Sequence, residues 1–419
     1  MSELLARRDL DFLLHDWLQA DRLTDRETID AILDLSEKLA SEAFLTHYKL
    51  SDVEEPRLDQ AGQVHICPAI GDALRQYAEL GLFSAGFPEE QGGLGLPYLV
   101  CAASFAFFAA ANVATAAYPM LTVANARLIA AFGSDAQFEA FARPQIEGRW
   151  FGTMCLSEPQ AGSSLADIRT RALPAGQDSL GHRYRLTGNK MWISGGDQDA
   201  TGNIVHLVLA KVPLEDGTMP EGTAGISLFI LPKILPDGTR NDLAVAGLNH
   251  KMGYRGTANC LLNFGEQGGA TGWLVGAPGE GLRQMFQMMN EARIGVGIGA
   301  AALGYRGYLL SGRYARERLQ GRPAGQRAGE PVAIIEHPDV RRMLLQQKAY
   351  VEGGLALCLY CARLVDTARE DAGDAALLGL LDVEVASIAV AAMDLDGDVV
   401  GGETVFGRPC LRDRREQPE

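Results

Sequence analysis

The hydrophobic period of this chain changes twice, from about 3.6 residues to 2 and back, and that switch restricts the fold more than any single motif does. From Asp11 to about Arg149, apolar residues recur every three and four positions, as in TIDAILDLSEKLASEAF and AIGDALRQYAELGLF. A loop around SDVEEPRLDQAGQVHICP separates these runs, and Pro68 and Asp72 sit where a helix can start. Near Trp150 the pattern breaks into short β-rich segments parted by Gly, Asp and Pro: WFGTMCLS, YRLTG, KMWISG, NIVHLVLAKV, GISLFILPK, ANCLLNF and GWLVG. Such spacing predicts a barrel or a sandwich that ends near Gly276. Helical spacing returns at Gly281 in GLRQMFQMMNEARIGVGIGAAALGYRGYLLSGRYARERL, as one long helix or two. HPDVRRMLLQQKAYVEGGLALCLYCARLVDTA predicts another, and ALLGLLDVEVASIAVAAM a third. The fold class is therefore α+β: a helical unit over 1–149, a β-barrel unit over 150–278 and a helical unit over 279–419. It lacks the strand–helix alternation of a dinucleotide-binding sheet.

The formal charge of -15 argues against nucleic acid or an anionic membrane as partner. An anionic ligand must then be held by local Arg, Lys or backbone N–H groups. The start, MSELLARRDLD, has no apolar signal-peptide core. Gln91 to Ala126 carries no charge, but its Ser104, Asn112 and Thr115 suit a buried helix better than a membrane span. The seven cysteines are scattered, which fits a reducing cytoplasm. Cys358 and Cys361 form a CxxC inside a helical run, where packing explains them better than a metal does. Gly297, Gly299 and Ala302 imitate a dinucleotide fingerprint, but no strand precedes them, so they read as small residues for close helix packing.

The richest cluster of turn-formers is MCLSEPQAGSS, Met154 to Ser164, directly after a predicted strand. Such a loop can offer N–H groups and hydroxyls to a flat polar ring. GNKMWISGG, Gly188 to Gly196, places an aromatic beside a hydroxyl at a strand end, where one side chain can stack on a ring and the other can bond its edge.

At these residues the sequence resembles the acyl-CoA dehydrogenase family. The two stretches look like its flavin-binding signatures. The likeness continues through KMGYRGTANCLLNF, NEARIGVGIGAAALG, YARERLQGRP and IIEHPDVRRML, and spans about Leu80 to Thr367. GGDQDATGNIVHLVLAK resembles the large bacterial branch that includes 3-methylmercaptopropionyl-CoA dehydrogenases. The resemblance implies FAD as cofactor and α,β-dehydrogenation of an acyl-CoA thioester to a trans-2-enoyl-CoA. It further implies electron transfer to an electron-transfer flavoprotein and a homo-oligomeric, cytoplasmic enzyme without a membrane span or a metal.

It also implies site residues. Met154, Cys155, Leu156 and Ser157 would line the flavin's pyrimidine edge. Trp192 and Ile193 would flank the ring, and Ser194 would bond it. Arg318 would reach the FAD pyrophosphate, normally that of a neighbouring subunit, and His337 would lie in a loop lining FAD. Ser163, Asn290 and Arg293 would hold the CoA portion, with Asn290 standing where the family usually has Asp. Bland readings stand beside these: Ser157 and Ser163 as turn residues, Trp192 as barrel core, Arg293 and Arg318 as solvated charges, and His337 as a residue opening a helix.

The catalytic base is not placed by the resemblance. In most of the family it is a carboxylate in a Glu-Gly-Thr turn beyond a Gly-Gly pair. The comparable pair here is Gly401-Gly402, and no YEGT-like turn follows, so the C-terminal bundle is expected to be incomplete. Glu291 is the nearest substitute, one position off a helical Glu that some members use. Residues 291 and 293 differ by about 200° around a helix, so if Arg293 faces CoA, Glu291 points largely away. The alternative function is a non-catalytic FAD- or CoA-binding remnant or scaffold. The sequence does not define the acyl chain.

Overall fold

The computed structural model describes residues 3–368 except 215 and 324, together with 377, 378 and 381. Most of ALLGLLDVEVASIAVAAM, and the Gly401-Gly402 pair with it, lies outside the described residues.

Helix α1 (Arg26–Leu39) starts behind Asp25, whose carboxylate accepts the Thr28 N–H at 2.8 Å and satisfies one of the open donors of the first turn. Helix α2 (Pro68–Glu79) starts on Pro68, where the missing N–H costs nothing. Helix α3 (Tyr98–Phe132) contains the uncharged segment, and 83% of its most apolar window is buried. Length and composition alone would let it cross a membrane; here its faces are covered by protein. The uninterrupted helix expected over this segment is instead kinked. Asn112 has non-helical angles (φ -159°, ψ 91°), and its Oδ1 accepts the Thr115 N–H at 3.2 Å, so it acts as an N-cap that restarts the helix.

Eight strands follow among the described residues: β1 (Phe151–Cys155), β2 (Arg171–Asp178), β3 (Gly181–Ser194), β4 (Ile204–Lys211), β5 (Ile226–Pro232), β6 (Leu243–Leu248), β7 (Asn259–Phe264) and β8 (Ala270–Leu274). They pair in the order β8-β5-β4-β2-β3-β7-β6, β1 pairs with β4, and β8 also pairs with β3, which closes the sheet into a barrel. YRLTG and KMWISG, separate in the sequence reading, are one strand. Gly188 does not end it: the space of its missing Cβ is filled by Thr170, at 2.4–2.8 Å from where that atom would be.

The runs IVHLVLAK and ISLFILP are buried on both faces, and the two-residue period divides them between two cores. Val208, Ala210, Phe229 and Leu231 join one core, and Val205, Leu207, Leu209, Leu228 and Ile230 join the other with Phe141, Leu128 and Met285 of the helices. These strands form the wall between barrel and helices, which is why they are continuously apolar. Each fully buried Leu or Ile there contributes about 1.5–3 kcal/mol. Helices α4 (Gly281–Glu317) and α5 (Pro338–Thr367) pack against α3, and α4 is one helix, not two. Gly297 and Gly299 are buried inside α4, where the Tyr254 hydroxyl stands 3.1 Å from the place of a Gly299 Cβ. Cys358 and Cys361 are both buried in α5.

Candidate functional site

The loop after β1 is held by a buried ion pair. Lys190 and Glu158 lie 2.9 Å apart, with side chains 0% and 2% exposed. Glu158 also accepts the backbone N–H groups of Arg169 (2.7 Å) and Thr170 (3.1 Å) and the Thr170 hydroxyl. Burial raises the Glu158 pKa, but the Lys190 charge and these donors outweigh it, so the carboxyl is held below its ordinary value. Lys190 donates as well to the Leu156 carbonyl at 2.8 Å, and the Met191 N–H donates to the Ser157 carbonyl at 2.9 Å. These bonds bring together the two segments that the sequence reading singled out. Met154, Leu156 and Ser157 are half-buried, Cys155 is buried, and Ser163 is exposed.

Between Lys190 and Ile193 the pairing of β3 with β7 shifts register. Trp192 sits in that bulge with φ +64°, and 57% of it is exposed. A large aromatic in a left-handed conformation costs about 1–2 kcal/mol and is unusual for a bulky residue. Its exposure excludes barrel core. Ile193 is buried behind it, and the Ser194 hydroxyl accepts from Asn259 Nδ2 at 3.4 Å. The loop between β6 and β7 is drawn round the Lys251 ammonium, which donates to the Tyr254 and Thr257 carbonyls at 2.5 Å each. Burial pushes the Lys251 pKa down to about 8.

On α4, Arg293 Nη1 donates to Asn290 Oδ1 at 2.8 Å, so the two residues matched to CoA binding adjoin. Glu291 turns elsewhere. Its carboxylate pairs with Arg127 at 3.1 Å, and both side chains are largely covered. Arg318 is exposed at the C-terminal end of α4, and His337 stands at the N-cap position of α5 without a side-chain cap bond, its Nε2 donating instead to the Gln320 carbonyl at 2.7 Å. The sequence reading assigned no role to Glu158, Lys190 or Arg127. The first two stood inside the quoted motifs, and Arg127 is the first charge after the uncharged segment. Among the described residues, one metal-capable group is Asp11, His15 and Asp30, but Arg7 already pairs with Asp11 (2.7 Å) and Asp30 (3.0 Å) and takes a cation's place.

An exposed, strained aromatic beside two hydroxyls and a fixed loop edge fits a planar polar ring such as a flavin. Family models described as the acyl-CoA dehydrogenase N-terminal, middle and C-terminal domains match residues 50–149, 153–266 and 279–404. The 3-methylmercaptopropionyl-CoA dehydrogenase of Ruegeria pomeroyi is 38% identical over 86% of the chain and 62% of its own length. A butyryl-CoA dehydrogenase of Syntrophomonas wolfei is 33% identical over 89% of the chain and 63% of its own length. The chain thus spans less than two thirds of these relatives. Among solved structures, butyryl-CoA dehydrogenase of Megasphaera elsdenii superposes with a TM-score of 0.67 at 22% identity, covering 88% of each chain.

Proposed function

This chain belongs to the acyl-CoA dehydrogenase family of FAD-binding oxidoreductases, and on that premise we propose that it binds FAD against Trp192 and dehydrogenates an acyl-CoA thioester at Cα–Cβ. The observation that carries this reading is Trp192: exposed, left-handed, and tied through Met191 to the Ser157 loop. Strain of this kind persists where the surroundings impose it, and it clusters at binding sites.

The flavin would supply the two-electron acceptor. The chain's own groups do the rest. The loop 156–158 and the Ser157 and Ser194 hydroxyls would offer hydrogen bonds to the flavin edge. Trp192 would cover one face and exclude water. Arg293, with Asn290, and Ser163 would hold the CoA portion, which fixes the thioester's register. Arg318 and His337 would serve the distal FAD, Arg318 that of a second subunit, and electrons would leave to an electron-transfer flavoprotein. A base must take the Cα proton, and Glu291 is poorly suited to that role because Arg127 already holds its carboxylate.

The test is spectroscopic. The chain reconstituted with FAD should show flavin absorbance that saturated acyl-CoAs bleach. Trp192→Ala should weaken FAD retention while leaving the fold intact. Glu291→Gln should slow bleaching by less than the roughly 100-fold or more expected on loss of a general base. A chain that never holds FAD sinks the proposal. Flavin bound but unreduced by any thioester would instead support a binding remnant.

A further inference from the structure

Three polar side chains stand in a row across the sheet at the end of β3. Ser194, the last residue of β3, pairs with Asn259, the first residue of β7. Asn249 directly follows β6 and is tied to Asn259 from the other side, its N–H donating to the Asn259 carbonyl at 2.8 Å. Side chains opposite one another on antiparallel neighbours come within reach. Here they are bonded: Asn249 Nδ2 donates to Asn259 Oδ1 at 2.8 Å, and Asn259 Nδ2 donates to the Ser194 hydroxyl at 3.4 Å. Lys251 steadies the loop between Asn249 and Asn259 by bonding the Tyr254 and Thr257 carbonyls.

The row has a direction. A primary amide carries donors at one end and an acceptor at the other. Asn249 presents Nδ2, so the near end of the Asn259 amide is its oxygen, and Asn259 Nδ2 is left to face Ser194. The Ser194 oxygen therefore accepts, and its single proton is turned away from Asn259. Among the described residues no side chain or carbonyl accepts that proton, although Ser194 is half-buried. Asn259 is 8% exposed, so water competes little for its amide.

The direction matters to a flavin. Its N5 is a bare acceptor in the oxidised ring and an N–H donor in the reduced one, and hydrogen bonds at that atom tune the cofactor's electronics. A hydroxyl held as a donor favours the oxidised form. A hydroxyl free to rotate serves both forms.

Resting on the reading above that Ser194 bonds the flavin edge, we propose that Asn259, itself oriented by Asn249, is a positioning residue that holds the Ser194 hydroxyl as a donor toward flavin N5 and so lowers the reduction potential of bound FAD.

The experiment is a potentiometric titration of the FAD-loaded full chain, followed by flavin absorbance against a reference dye, for the native chain, Asn259→Leu, Asn249→Leu and Ser194→Ala. Asn259→Leu has a similar size but no donor. It should lower the preference for oxidised over reduced FAD by about threefold to tenfold, which for a two-electron couple raises the potential by roughly 15–30 mV. Asn249→Leu frees the Asn259 amide to turn over and should shift the potential in the same direction. Ser194→Ala should raise it too, and in that background neither Asn substitution should add a further shift, because both act through the hydroxyl. A residue that merely supports the sheet would change Tm and leave the potential alone. No shift or a downward shift in the Asn variants, a shift that persists without Ser194, or a Ser194→Ala potential equal to the native one would overturn the proposal. Asn249→Leu decides the matter if Asn259→Leu does not fold. A native chain that never holds FAD would overturn the flavin reading itself.

Discussion

Lys190 is the residue on which both signature segments depend. It closes on Glu158 and on the Leu156 carbonyl from inside the barrel, while Trp192, two residues on, emerges to solvent. Breaking a buried pair by removing one partner leaves an uncompensated charge, so Lys190→Met should cost about 3–5 kcal/mol. The pH dependence has a definite sign. The folded Glu158 pKa lies below the ordinary Glu value of 4.5, so its contribution is present above that value and is lost as pH falls through the folded value. Urea unfolding at neutral and acid pH should show this acid-side loss in the native chain and a smaller one in Glu158→Gln. A loss of under about 1 kcal/mol in Lys190→Met would show that the pair is dispensable. Trp192 makes a complementary point: neither its φ nor its exposure follows from residue type, since apolar aromatics are more often buried.

At the scale of elements, the kink in α3 is the main departure from the sequence reading. Helical spacing continues through Asn112 without a break, so periodicity alone runs the helix straight on. Tertiary contacts divert it: Asn112 Nδ2 donates to the Phe44 carbonyl (3.4 Å) and the Ser51 hydroxyl (3.3 Å) while Oδ1 caps the second half. Asn112→Ala should lose the cap and leave the Phe44 carbonyl without this donor, costing about 1–3 kcal/mol. Chemical denaturation measures this directly, and a neutral substitution would mean that packing alone sets the bend. Gly188 teaches the reverse lesson. A glycine in a β-rich run reads as a turn, but here it lets Thr170 approach within an unbroken strand.

At the scale of the molecule, Tyr314 (59%) on α4, Leu319 (57%) just past its end and Leu345 (67%) on α5 are exposed, as is Arg318 beside Leu319 in the chain. A homo-oligomer of the proposed kind would cover exposed apolar side chains such as these. FAD shared across such a contact would couple cofactor binding to assembly. The FAD-loaded chain should therefore scatter light as a dimer or larger. Saturation at about a hundred times Kd should stabilise it by roughly 2.7 kcal/mol. Arg318→Ala should reduce both the mass and the FAD-dependent rise in Tm. A monomer that holds FAD tightly would remove the basis for that role.

The order of units, the β-rich middle and the two signature loops were legible in the sequence because each is written in short-range pattern: period, turn residues and motif spacing. MCLSEPQAGSS and GNKMWISGG could be named as a pair, but the bonds that join them run from Lys190 to Leu156 and Glu158 across more than thirty residues of chain. The same limit hid the partner of Glu291. Helix geometry indicated that it turns away from Arg293, but only the packing of α3 on α4 brings Arg127, 164 residues earlier, to meet it. Barrel closure through β8 and the restart of α3 at Asn112 likewise depend on which distant faces come together. Local pattern determines which elements form and which faces are apolar; the pairing of those faces is settled by complementarity of shape and charge over long sequence separations, which no local window contains.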